Sequence, residues 1–210
     1  MIRFGVAALP LLLLAGCAEG KAESPYGEFG PSSSASAPEA TFDADVAVSD
    51  TQVQVSYRFV NDGDEPLMLI NRPGVAAGAG VRYREDAAYV TEDADGGALL
   101  SQALFGVPDS DQTWESIPRV GVTEVAPGEA VEVDVRSAVP LTWFHPFGSD
   151  FGSGPMSVPN DVDEVRFCLG VVSSPFPESM TLRTEADGTQ TVGHASAEQH
   201  LFCSKSAAFG

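Results

Sequence analysis

Cations are scarce in this chain. Lysine occurs only at Lys21 and Lys205; Lys and Arg together number 11 against 30 Asp and Glu, a formal net charge of −19 over 210 residues. A nucleic-acid backbone is held by clustered cations, and no basic cluster exists here, which excludes nucleic acid as a partner. Long hydrophobic runs are missing too: none reaches the roughly 20 residues that a membrane-spanning helix requires. Catalytic signatures are equally thin. There is no Gly-x-Ser-x-Gly nucleophile elbow and no His-Glu-x-x-His zinc helix, and the histidines are only His145, His194 and His200. Asp150-Phe151-Gly152 spells a kinase triplet without the Gly-rich phosphate loop that such chemistry needs. The expectation is a protein that is not an enzyme and carries no cofactor.

What is present begins at the N-terminus. Met1-Ile2-Arg3 bears one positive charge, and Phe4 to Leu14 is an apolar run of signal-peptide length, ending in Leu14-Ala15-Gly16-Cys17. These four residues resemble the lipobox of bacterial lipoproteins. The resemblance implies that residues 1–16 are a signal peptide cleaved before Cys17. It further implies a diacylglycerol on the Cys17 sulfur and an acyl chain, palmitate-like, on the new amine. At about 0.8 kcal/mol per buried methylene, one chain binds a membrane marginally and two or more hold firmly. The mature protein is then expected to be anchored to the membrane rather than to span it. Ala18 stands where lipoproteins retained at an inner membrane often carry Asp. In a cell with two membranes, the expected site is the outer one, facing the periplasm or the cell surface.

Residues 17–40 continue as a segment rich in Ser, Pro, Ala and Gly with no apolar periodicity. Such composition buries too little apolar surface to offset ordering entropy, so a flexible lipidated tether is expected, with Tyr26 and Phe29 as isolated aromatics within it. From Thr41 the pattern changes. Val53, Val55, Tyr57 and Phe59 alternate with polar residues, and so do Val131, Val133 and Val135; Val165, Phe167, Leu169 and Val171 follow the same period of two. Asn61 to Pro66 and Ala126-Pro127-Gly128-Glu129 read as turns. Gly97 to Phe105 alone suggests a helix, about two turns long, with Gly106 to end it. Many short strands between turn signals predict an all-β fold over residues 41–210: an antiparallel, immunoglobulin-like β-sandwich with one short helix.

The stretches VSYRFVNDGDEPLMLI and VTEVAPGEAVEVDV resemble hairpins common in bacterial immunoglobulin-like envelope domains. They are also faintly similar to BsuPI-type proteinase-inhibitor domains. No inhibitory loop can be matched residue by residue, so no site is carried over from that family.

With Cys17 assigned to lipid, Cys168 and Cys203 remain as an even pair in an oxidising compartment, and a disulfide between them is expected. Cys168 is out of phase with Val165, Phe167 and Leu169, which puts the bridge on the less apolar face or at a sheet edge. His194 and His200 lie in a polar stretch and read as surface residues.

Two segments are candidate binding sites. Thr91-Glu92-Asp93-Ala94-Asp95-Gly96 has the best spacing of oxygen ligands for calcium, at Asp93 and Asp95. However, the twelfth position is Gln102 rather than a bidentate Glu, so the same residues also read as a hairpin turn. The loop between Pro140 and Pro159 crowds Trp143, Phe144, Phe147 and Phe151 together with His145. Its rings are either a binding tip at the end of the sandwich or a plug folded over the core. The acidic surface either attracts a cationic partner or serves solubility. The leading expectation is a non-catalytic lipoprotein that binds a protein, peptide or envelope component; the alternative is a ligand- or calcium-binding domain using the acidic turns and loop 140–159.

Overall fold

In a computed structural model, which describes residues 29–109, 113–151, 154–158, 162–194 and 198–209, the alternating segments pair as their periodicity requires. Strands β1 (Ala40–Val48) and β2 (Gln52–Asn61) form an antiparallel hairpin in full register, from Ala40 opposite Asn61 to Val48 opposite Val53. Val53, Val55, Tyr57 and Phe59 point inward along β2, and Ser56 and Arg58 point to solvent. The remaining described strands are β3 (Leu67–Arg72), β4 (Gly74–Ala77), β5 (Gly80–Tyr83), β6 (Tyr89–Glu92), β7 (Ala98–Gln102), β8 (Arg119–Val125), β9 (Ala130–Ala138), β10 (Glu164–Ser173), β11 (Arg183–Thr184), β12 (Gln190–Gly193), β13 (His200–Cys203) and β14 (Ala207–Ala208). No helix occurs among the described residues.

A three-stranded sheet in the order β1-β2-β9 faces a nine-stranded sheet in the order β11-β12-β8-β3-β10-β7-β6, with β13 and β14 also on β10; β4 and β5 form a separate hairpin. β10 organises the larger sheet. Cys168 pairs with Ser101 of β7 and with Cys203 of β13, and Val171 pairs with Leu69 of β3 and with His200 of β13. Since a residue has one partner on each side, β7 and β3 follow one another along one edge of β10, and β14 and β13 along the other. The inter-sheet core holds Val53, Val55, Tyr57 and Phe59 of β2 against Val165, Phe167, Leu169 and Val171 of β10. The fold is an all-β sandwich.

Two expectations are corrected here. Gly97 to Phe105 is not a helix: Ala98–Gln102 is strand β7, with all five residues buried between β6 and β10. A strand covered on both faces has no reason to alternate, so its apolar run imitates a buried helix. Gly97 serves close approach, since a Cβ there would sit 2.9 Å from the Glu164 carbonyl oxygen. Nor is the larger sheet purely antiparallel, because β7 runs parallel to β10, from Ala98 opposite Val165 to Gln102 opposite Leu169.

The other face of the large sheet carries a second apolar core of Met68, Ile70, Tyr89, Val120, Val172 and Val192. No sheet covers it. Its cover is irregular chain: Phe147 and Phe151 of the 140–158 loop, Trp114, and Phe29 from the N-terminal side.

Candidate functional site

The aromatic loop singled out in the sequence lies over this second core. Phe144 exchanges two backbone hydrogen bonds with Val90 of β6, at 2.8 and 2.9 Å, so the loop starts as an added strand on the edge of the large sheet. Beyond it, the His145 carbonyl accepts from Gly148 N–H, and Trp143 Nε1–H donates to the Gly148 carbonyl. Gly148 has φ +95°, so the turn needs a residue without a Cβ. The turn folds the rings inward. His145, Phe147 and Phe151 are buried, and Trp143 and Phe144 are half-buried. His145 packs edge-on against Phe105 at 4.7 Å and Phe151 at 5.1 Å, and Trp114 meets Phe147 at 5.0 Å. Of the two readings of these five residues, the described geometry is that of a cover over the core.

Beneath the loop sits a residue that sequence reasoning placed at the surface. His194 is fully buried; the polar residues around it hide that the chain turns under the loop directly after β12. Phe105 N–H points at its Nδ1 at 3.3 Å, so Nδ1 is the acceptor and the proton resides on Nε2. Nε2–H then donates to the Tyr89 hydroxyl oxygen at 3.1 Å, which also accepts from Gly74 N–H at 3.3 Å. His145 has the same tautomer: its Nδ1 accepts Phe147 N–H at 3.2 Å, and the Phe29 backbone bonds the ring as well. Burial lowers the His145 pKa to about 4, against the small upward pull of Phe29. Burial, reinforced by nearby His145, lowers that of His194 to about 3. Burial likewise raises the Tyr89 phenol above its ordinary value. Both rings are neutral pins that join loops to the sheet. His200 is half-buried, with Nδ1 3.3 Å from the Ala35 carbonyl.

These contacts show that the segment expected as tether is fixed from Phe29 onward. The Phe29 ring lies 4.8 Å from Phe151 and 6.3 Å from Trp143. Buried Gln199 secures the following residues. Its Nε2 donates to the carbonyls of Ser32 and Leu104, its Oε1 accepts from Leu104 N–H, and its own carbonyl accepts from Ser34 and Ala35 N–H. Nothing in the local sequence marks Gln199 for this role. The boundary expected at residues 40 and 41 marks the first strand, whereas the packed chain begins at least eleven residues earlier, at Phe29.

Asp93 and Asp95 stand at the β6–β7 turn, with Asp93 N–H bonded to the Gly97 carbonyl and Gly96 at φ +83°. Asp93 is buried, and its Oδ1 accepts from Arg166 Nη2 at 2.6 Å and from Ala94 N–H at 2.8 Å. Asp95 is exposed. The two carboxylates therefore differ in environment, one engaged by an arginine and one in solvent. Among the described residues, no group of three or more His, Cys, Asp or Glu is arranged to hold a metal ion.

Cys168 and Cys203 are bonded, directly opposite one another in the β10–β13 ladder with Cα atoms 4.1 Å apart. Cys168 is buried and points away from the inter-sheet core, as its phase requires. Cys17 lies outside the described residues.

The outer face of the small sheet is acidic. Cross-strand rows align Asp43, Arg58 and Glu132, then Asp45, Ser56 and Asp134, around a shallow concavity of about 540 Å³. Arg58 pairs with Glu132 at 3.3 Å, and Ser56 donates to Asp134 at 2.6 Å, leaving Asp43 and Asp45 toward the β1 edge.

These features define the class: an all-β sandwich with a cross-strand disulfide and an aromatic cover on its second face. Set against known proteins, the chain matches no family model, no curated protein and no solved structure.

Proposed function

We propose that this is a lipid-anchored protein of the bacterial cell envelope, held to the membrane through Cys17 and acting by binding a protein, peptide or other envelope component rather than by catalysis. The observation that carries the reading is Leu14-Ala15-Gly16-Cys17 closing an apolar run of signal-peptide length. The Cys168–Cys203 bridge supports it, since such bonds persist where the compartment is oxidising. The non-catalytic part is supported by the histidines: both ring nitrogens of His194 are engaged, and His145 is closed in among aromatic rings.

Growth with an alkyne fatty acid tests the anchor. The expected result is a labelled mature protein in the membrane fraction, and a Cys17→Ser variant that is unlabelled and unprocessed. Absence of label on the wild-type chain refutes the anchor. Crosslinking in the native envelope tests the binding role, with a discrete crosslinked product expected; recovery of the monomer alone counts against it.

A further inference from the structure

The most telling unused feature is the outer edge of β1. In the β1–β2 ladder, Asp62 N–H bonds the Glu39 carbonyl at one end and Ser49 N–H bonds the Gln52 carbonyl at the other. With the observed register, the hydrogen-bonded pairs alternate through Thr41, Asp43, Asp45 and Ala47. The N–H and C=O groups of Phe42, Ala44 and Val46 therefore point away from β2, and no described residue pairs with them. Two other edges carry described partners: Arg136 N–H of β9 donates to the Asp86 carbonyl, and Val90 of β6 exchanges bonds with Phe144. Beside the open edge runs a groove of about 400 Å³ between residues 42–46 and residues 203–207, with Lys205 its one cation.

The side chains along this edge state what fits it. Asp43 and Asp45 are exposed on the outer face, and Phe42, Ala44 and Val46 are half-buried on the inner one. A second copy is a poor occupant: antiparallel pairing of two β1 strands about Ala44 sets Asp43 against Asp45 twice, and like charges opposite one another repel. Basic residues at the same positions attract.

We infer that the β1 edge accepts an extended cationic segment of a partner polypeptide as an additional strand. Arg or Lys residues two apart meet Asp43 and Asp45, and the apolar residues between them cover Phe42, Ala44 and Val46. Main-chain bonds supply affinity and the alternating side chains supply selectivity. The inference rests on the reading of this chain as a binding protein and names the class of its partner.

The test uses the full-length mature chain in detergent micelles and a labelled nine-residue peptide that alternates Arg and Val. The control has the same composition in block order, all Arg followed by all Val. Expected are preferential binding of the alternating peptide and slowed hydrogen exchange at the amides of Phe42, Ala44 and Val46. Asp43→Asn with Asp45→Asn should weaken binding roughly threefold to tenfold, as two cross-strand charge pairs imply. Ala44→Pro removes an N–H that the native sheet does not use, and should abolish binding with Tm unchanged. Equal binding of the block peptide, or binding without exchange protection at those amides, overturns the inference. Should Ala44→Pro fail to fold, the exchange and Asn results decide. A crosslinked envelope partner alongside a negative peptide test sinks only the edge; peptide binding without any envelope partner sinks the broader reading instead.

Discussion

His194 Nε2 lies 3.1 Å from the Tyr89 hydroxyl in an interior where, among the described residues, no carboxylate is bonded to the ring. The imidazole is held neutral with its tautomer fixed by a backbone N–H, and His145 is held the same way about one loop turn above it. Folding therefore competes with protonation at both positions.

Stability should fall on mild acidification. Both histidines titrate near 6.5 when unfolded and near 4 (His145) or 3 (His194) when folded. Below about pH 6.5 the unfolded chain binds protons that the folded chain refuses. The contribution is thus fully present above that pH and declines as pH drops. Between about pH 6 and 5 the slope approaches 1.4 kcal/mol per pH unit for each histidine. Urea denaturation at pH 7.5 and 5.0 measures it, and His194→Gln should shrink the difference by about half. Equal midpoints at the two pH values contradict neutral burial.

Truncating the loop rings separates cover from tip. Phe147 is buried against Trp114, His145 and the second core, so Phe147→Ala should cost about 3–5 kcal/mol. Trp143 is half-buried and should cost less. A loss under 1 kcal/mol at Phe147, measured by urea denaturation, would mean that the loop does not cap the core.

The parts of this fold that were legible in the sequence are those where burial is one-sided. β2 and β9 alternate because one face meets the core and the other water, and Asn61 to Pro66 announces its turn through side chains that bond the backbone: Asn61 Nδ2 reaches the Glu65 and Val125 carbonyls. Where both faces are covered, as in β7, alternation vanishes and the strand reads as helix. Composition made Phe29 look like tether, because its fixation comes from Trp143 and Phe151, remote in sequence. The neutral pins were invisible for the same reason. Their burial depends on a loop that arrives from elsewhere.

Gln199 should prove the most sensitive polar residue. Replacing it with Ala leaves the N–H and carbonyl of buried Leu104 without their partners, at a cost of about 2–4 kcal/mol. It also frees Ser32, so limited proteolysis should cut within residues 29–39 faster than in the wild type. Unchanged cleavage would show that the N-terminal segment is held independently of Gln199.

The disulfide joins residues separated by 35 positions, and both lie on strands that β10 already aligns. Its removal therefore acts chiefly on the unfolded chain, whose loop is no longer closed. The double change Cys168→Ala with Cys203→Ala should lower stability by about 3–4 kcal/mol while the sheet order persists. Circular dichroism at low temperature should match the wild type, and the thermal midpoint should drop. Loss of the β signal at low temperature would instead show that the bridge is required to form the β10–β13 pairing, not only to stabilise it.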